Sequence, residues 1–156
     1  MKIGILGTGL MGGPMALQLK KAGFEVIAWN RSPDKLAPLQ QAQIETVERA
    51  EAAIAAAELT ITMLSDAAAI QATVLSNPAV LIGKTILQMG TIAPAQSRDI
   101  QSQVRSAGGD YLEAPVLGSI PQVKAGSLIL MVGATPEQFE QWLPVLKCFG
   151  PNPELM

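Results

Sequence analysis

The chain alternates between short apolar runs and longer tracts with helical spacing. The runs stand at Ile3 to Leu6, Glu25 to Trp29, Leu59 to Leu64 and Thr85 to Met89. Each is brief and almost free of charge, as expected of strands buried on both faces of a sheet. Between them, helical patterns occupy about 10–22, 34–42, 48–57 and 67–75, with another from Pro94 to about Ala107. A weaker strand around Ile44 to Thr46 separates the second helix from the third. This alternation predicts a doubly wound α/β fold, a mainly parallel sheet with helices on both faces. Gly23 is placed to cap the first helix. Ser32-Pro33-Asp34 opens the second with an N-cap, a proline at the first helical position and an acid in the first turn. After Gly108-Gly109 the pattern changes. Tyr111 to Val116 reads as a strand, a glycine and proline loop follows, and Ser127 to Val132 reads as another strand. Two strands with no helix between them predict antiparallel additions near the C-terminus. Thr135-Pro136-Glu137 then begins a last helix that ends near Lys147.

Where the first run ends, Gly7-Thr8-Gly9-Leu10-Met11-Gly12 leads through Gly13-Pro14-Met15 into the helix former Ala16-Leu17-Gln18-Leu19-Lys20-Lys21-Ala22. Strand, glycine turn and helix start, in that order, make the pyrophosphate site of a Rossmann-type dinucleotide fold. Gly7 permits the tight turn, Gly9 lets backbone approach the phosphates, and Gly12 lets the helix pack close to the strand. The free N–H groups and dipole of the helix N-terminus face the anion, so Gly7, Thr8, Gly9, Leu10, Met11 and Gly12 form the candidate contact. Pro14 suits a first helical turn, whose N–H groups have no intrahelical partner. The same glycines would also serve a purely structural turn.

The second strand decides between the two nicotinamide cofactors. The NAD version of this fold ends that strand in an acid that accepts from the ribose 2′-hydroxyl. Here it ends Ala28-Trp29-Asn30-Arg31-Ser32, with Glu25 too early and Asp34 already in the next helix. Arg31 offers a planar fork for a phosphate, with the Ser32 hydroxyl and the Asn30 amide beside it. That favours NADP(H) over NAD(H). The alternative is a solvated loop arginine beside a turn asparagine.

Composition narrows the chemistry. A chain of 156 residues is expected to form one domain that buries roughly 70% of its unfolded surface. It is 49% apolar and 15% charged, and its net charge of −2 gives no basic field for nucleic acid. There is no histidine, which removes His bases, His-containing triads and His metal ligands together. The single cysteine, Cys148, can build neither a thiolate metal site nor an intrachain disulfide, and reads as a small buried apolar residue near a helix end. The first strand starts at residue 2, leaving no room for a signal peptide, and no apolar run approaches the roughly 20 residues of a membrane span. A cytoplasmic location is the expectation.

These residues together resemble the β-hydroxyacid dehydrogenase family, which includes 3-hydroxyisobutyrate dehydrogenases and glyoxylate/succinic semialdehyde reductases. The resemblance covers essentially the whole chain but only the cofactor half of the family's architecture. Gly7 to Ala16 is similar to the family's extended glycine signature, and Asn30-Arg31-Ser32-Pro33 to its NADP-reading segment. Met63-Leu64-Ser65-Asp66 is similar to the strand end that lies along adenosine and ribose, and Gly90-Thr91-Ile92-Ala93-Pro94 to a segment whose threonine stands near the nicotinamide ribose. Glu113-Ala114-Pro115-Val116-Leu117-Gly118-Ser119, with Ala125-Gly126-Ser127-Leu128 behind it, resembles the loop that holds a substrate carboxylate. A turn of small residues can aim several N–H donors at one anion, although an ordinary loop between two strands would look the same. The family commonly has serine where this chain has Leu117. The resemblance makes Leu117, Gly118 and Ser119 the substrate contact, with Ser119 as a substitute hydroxyl donor. A neutral hydrogen bond contributes about 0.5–1.5 kcal/mol and one to a charged group about 1.5–3 kcal/mol. The change therefore shifts substrate preference more readily than it abolishes binding.

The resemblance implies hydride transfer between the nicotinamide and a small 3-hydroxy acid or aldehyde acid. In the family a lysine from a second, helical domain moves the proton. No residue of this chain matches that lysine, and Lys124 reads as a solvated loop charge. The expectation is a cofactor domain that turns over negligibly by itself. The face left by the second domain would be apolar and open to a second copy of the chain; Met11, Met15 and the seven methionines in all hint at adaptable surface there, with core filling the blander reading for most of them. Two rivals remain. One is a non-catalytic NADP-binding sensor or interaction module. The other is a 6-phosphogluconate-type dehydrogenase, disfavoured because nothing in residues 113–128 provides for a second phosphate.

Overall fold

The computed structural model describes all residues from 1 to 156. Six parallel strands form the main sheet: β1 (Lys2–Leu6), β2 (Glu25–Trp29), β3 (Glu45–Thr46), β4 (Leu59–Thr62), β5 (Thr85–Gln88) and β6 (Asp110–Glu113). Their spatial order is β3-β2-β1-β4-β5-β6, so the chain reverses direction of growth between β1 and β4. The ends of these two strands flank the crevice where open α/β sheets bind ligands.

The helices are α1 (Gly12–Lys21), α2 (Ala37–Gln41), α3 (Ala50–Ala56), α4 (Ala67–Val74), α5 (Pro94–Ser106), α6 (Ile120–Ala125) and α7 (Pro136–Leu146). Alternation along each strand divides the interior into two cores. Ile3, Ile5, Val26, Leu59, Ile61 and Leu87 pack on the α1, α6 and α7 side, together with Met15, Leu19 and Trp142. Leu6, Ile27, Ile86 and Tyr111 face the opposite side, with Ile54, Ile70, Ile100 and Val104 of α3, α4 and α5. The helices on each face are held by this burial, since α2, α3 and α4 are too short to persist alone. Gly23 ends α1 as expected: its N–H donates to the Lys20 carbonyl at 3.0 Å and that of Phe24 to the Leu19 carbonyl at 3.2 Å, a Schellman pair.

The C-terminal third departs from the sequence reading in several places. The strand expected over Tyr111 to Val116 breaks at Pro115, which has no N–H to continue a ladder. Its first part is β6. Its second, β7 (Val116–Leu117), turns away and pairs antiparallel with β8 (Ile129–Val132). The antiparallel strands therefore form a separate small sheet, joined to the main one through the Glu113–Gly133 bridge. The residues between β7 and β8 include a helix, α6, that was expected to be loop, and Lys124 lies exposed upon it. Ser119-x-x-Gln122 is the capping signal that marks its start. The tail contributes β9 (Glu154–Leu155), parallel to β8. The helix expected over 34–42 is a 3₁₀ turn (Pro33–Leu36) followed by α2, and Ser32 makes no side-chain cap. Met15 is fully buried core, not adaptable surface, while Met11 is half-buried against it. Cys148 is half-buried just beyond α7, where burial pushes its thiol pKa up. No helix is long and apolar enough to cross a membrane.

Tyr111, 2% exposed, anchors α5 to β6. Its hydroxyl lies 2.8 Å from Ser97 Oγ, which donates to Glu113 Oε2 at 2.6 Å. Burial pushes the phenol from its ordinary 10.0 up to about 12. Between those two values the folded chain keeps a proton that the unfolded chain has lost, so stability falls as pH rises through that window. Urea denaturation across the window should show the fall, and Tyr111→Phe should flatten it. An equal fall in the variant would remove Tyr111 as its cause.

Candidate functional site

The glycine turn leaves β1 at the crevice, and sterics fix its path. Gly7 has φ +97°, and its N–H donates to the Trp29 carbonyl at 2.9 Å. A Cβ there would strike the Met63 carbonyl oxygen, so the turn is pressed against the end of β4. A Cβ on Gly12 would strike the Gly7 carbonyl oxygen, so α1 begins in direct contact with the turn. At Gly9 the result is opposite: a Cβ would meet nothing within 4 Å. Gly7 and Gly12 are constrained by protein, whereas Gly9 faces open space. That is the division of labour a bound diphosphate requires.

Donors are available at the same place. The N–H groups of Gly9, Leu10, Met11 and Gly12 have no hydrogen-bond partner within the chain. The first bonds made past the turn are Gly13 N–H to the Gly9 carbonyl and Met15 N–H to the Met11 carbonyl, both 3.1 Å. No side chain caps α1, and its first turn holds no acid. The positive end of the helix dipole is thus uncompensated, which favours an anion. Leu10 is 78% exposed above the turn.

The structure brings most of the expected residues to this one edge of the sheet. Asn30, Arg31 and Ser32 follow β2, Met63, Leu64 and Ser65 follow β4, and Thr91 follows β5. All stand beyond the C-terminal ends of neighbouring parallel strands. Arg31 and Ser32 are exposed, and neither of the chain's two ion pairs, Lys2–Glu45 and Arg49–Glu51, involves Arg31. Met63 and Leu64 are half-buried, while Ser65 and Thr91 are exposed. The Thr8 N–H is not free: it donates to Asn30 Oδ1 at 2.9 Å.

Leu117, Gly118 and Ser119 come after β6, on β7 and the entry to α6. Leu117 is exposed, and Gly118 has φ +142° with no room for a Cβ, which would come within 2.6 Å of Leu128 Cδ2. Ser119 is the N-cap residue of α6, where its N–H donates to Gln122 Oε1 at 2.9 Å and its hydroxyl donates to the same oxygen, with no side-chain bond to a helix N–H. That hydroxyl is therefore occupied in this conformation. The loop nonetheless reaches the glycine turn through α6. A groove of about 350 Å³ is bounded by Thr8, Gly9, Leu10 and Lys35 on one side and by Ile120 and Lys124 on the other.

Two residues escaped the sequence reading. Lys35, in the 3₁₀ turn after Ser32, adds an exposed and unpaired ammonium to the Arg31 loop. The signal was a second cation one helical turn past the arginine. Gln88 is fully buried at the end of β5. Its Oε1 accepts from Thr62 Oγ1 at 2.8 Å and from Gly90 N–H at 3.0 Å, and its amide donates to the Gly90 carbonyl at 2.8 Å. It thereby fixes the turn that presents Thr91. A polar residue ending an apolar strand was the available cue.

Known proteins resemble the chain over nearly its whole length. Residues 2–155 match the family described as the NAD binding domain of 6-phosphogluconate dehydrogenase. The chain belongs to that family. Among relatives of this NAD-binding domain, 2-hydroxy-3-oxopropionate reductase of Escherichia coli is 33% identical over 158 residues, covering 97% of this chain and 53% of the relative. Cytokine-like nuclear factor N-PAC of Anopheles gambiae is 32% identical over 145 residues, covering 90% of this chain and 26% of the relative. Among solved structures, 3-hydroxyisobutyrate dehydrogenase of Mycobacterium tuberculosis with L-serine superposes with a TM-score of 0.94 at 26% identity, covering 99% of this chain and 53% of that one. The chain thus spans about half the length of the dehydrogenase and reductase relatives it matches, and it corresponds to an NAD(P)-binding domain.

The two kinds of glycine predict opposite phenotypes. Gly12→Ala should destabilise the domain by about 2 kcal/mol or more, because backbone has to move. Gly9→Ala should leave the melting temperature within about 2 °C, yet weaken dinucleotide binding at least about tenfold by standing where phosphate must approach. Thermal melts and NADPH titrations of both variants check this, and a Gly9→Ala protein that binds normally would contradict it.

Proposed function

We propose that the chain is the NADP(H)-binding half of a dehydrogenase that interconverts small hydroxy acids and the corresponding aldehyde acids. The observation that carries the cofactor choice is the end of β2, where Arg31 and Ser32 stand exposed, with Lys35 beside them and no carboxylate at the strand end. A 2′-phosphate there meets a guanidinium fork and an ammonium, whereas a 2′-hydroxyl finds no acidic acceptor. The turn amides of Gly9 to Gly12 hold the diphosphate, Met63 to Ser65 flank the adenosine and ribose, and Thr91 stands by the nicotinamide ribose. When bound, the nicotinamide supplies or accepts the hydride. Leu117 to Ser119 supply the carboxylate contact. Since Leu117 offers no hydroxyl and Gln122 engages both the N–H and the hydroxyl of Ser119, the Gly118 N–H carries more of it.

The names of the reductase and dehydrogenase relatives support the reaction class. The proton is expected from outside residues 1–156. The chain has no histidine, and Lys124 is an exposed helix residue. A second reading, a non-catalytic NADP-binding module, is favoured by the likeness to N-PAC, which is named as a nuclear factor.

Arg31→Ala should weaken NADPH binding at least about tenfold while leaving NADH within about threefold of the parent. Equal losses would remove Arg31 as the phosphate reader. Residues 1–156 supplied with NADPH and glyoxylate or succinic semialdehyde should reduce them at least about a hundredfold more slowly than a full-length relative, the contribution of a placed proton donor. Comparable turnover would place the whole catalytic apparatus within this chain.

A further inference from the structure

The N–H and the hydroxyl of Thr8 both turn towards the loop after β2. Its N–H donates to Asn30 Oδ1 at 2.9 Å, and its hydroxyl lies 3.5 Å from the Lys35 carbonyl oxygen. The Asn30 amide nitrogen donates onward to the Ser32 carbonyl at 3.0 Å. The orientation of that amide is fixed by its partners, because an N–H must meet oxygen and a carbonyl must meet nitrogen. Thr8 is 5% exposed and Asn30 half-buried, while Arg31, Ser32 and Lys35 around them are exposed. One side chain therefore ties the glycine turn to the loop that carries Arg31 and Lys35.

We infer that Asn30 is a positioning residue that clasps the diphosphate turn to the 2′-phosphate loop, holding the two anion subsites at a fixed spacing before cofactor arrives. The inference rests on the dinucleotide reading above and assigns Asn30 a role distinct from direct phosphate contact. A neutral amide is the group that can do this. Aspartate would accept from Thr8 N–H but could not donate to the Ser32 carbonyl, and it would set a negative charge beside Arg31. Lysine or arginine could donate but not accept. The clasp also removes Thr8 N–H from the diphosphate and leaves that contact to Gly9, Leu10, Met11 and Gly12. Holding both loops in place beforehand spares the ordering cost at binding, for NADH and NADPH alike.

The test is titration of the 1–156 chain, Asn30→Ala and Asn30→Asp with NADH and with NADPH, alongside amide hydrogen exchange at Thr8. Asn30→Ala should weaken both dinucleotides by the same factor, about tenfold, and Thr8 should lose protection. Asn30→Asp restores the acceptor, so Thr8 should regain protection and NADH affinity should return to within about threefold of the parent. NADPH should remain at least about tenfold weaker, because the carboxylate faces its extra phosphate. A loss confined to NADPH in Asn30→Ala would make Asn30 a direct phosphate ligand and overturn the inference. Unchanged Thr8 exchange would overturn it as well. Should the parent bind neither dinucleotide, the cofactor reading fails, and the Thr8 exchange pattern still decides whether Asn30 holds the turn.

Discussion

The site depends on one close approach: α1 begins so near the end of β1 that the Gly7 carbonyl leaves no room for a Cβ on Gly12. With the helix start pinned there and the turn pressed on Met63, the remaining freedom of the loop is spent on Gly9 to Gly12. Their N–H groups make no hydrogen bond within the chain. An unsatisfied row of donors at a positive helix end is costly unless water or an anion meets it. A dinucleotide diphosphate meets that need. The sheet order places this row at the point where the strand sequence reverses, so that adjacent loops fan out on either side of it.

The NADP(H) selectivity proposed for this chain would be built one strand away by different means. The end of β2 presents cations that are exposed and unpaired, so they retain their attraction for a phosphate instead of spending it on a neighbouring acid. Polar side chains beneath the surface set the loops that carry recognition. Asn30 serves the β2 loop and Gln88 the β5 loop, each by accepting one main-chain N–H and donating to one main-chain carbonyl. An amide suits that task because it does both without carrying charge into the site.

The parallel sheet was legible because buried strands read as near-continuous apolar runs, and the glycine turn because each of its glycines answers a separate steric need. The C-terminal third was less so. Pro115 splits what periodicity presents as one strand, and α6 is too short for a helical period to register. Its capping pair, Ser119 and Gln122, was the local cue. The commitments of individual hydrogen-bonding groups, such as Thr8 N–H to Asn30 and the Ser119 hydroxyl to Gln122, depend on residues brought together by folding. Spacing along the chain does not reveal them. The same holds for Met15, whose place in the core follows from which face of α1 meets the sheet.

The central claim, a diphosphate resting on the amides at the start of α1, is tested most directly by following backbone amide resonances as NADPH is added. The account predicts that the largest and earliest shifts fall on Gly9, Leu10, Met11 and Gly12, with a second group at Arg31 and Ser32. Shifts centred instead between α5 and β6, or none at saturating cofactor, would contradict it.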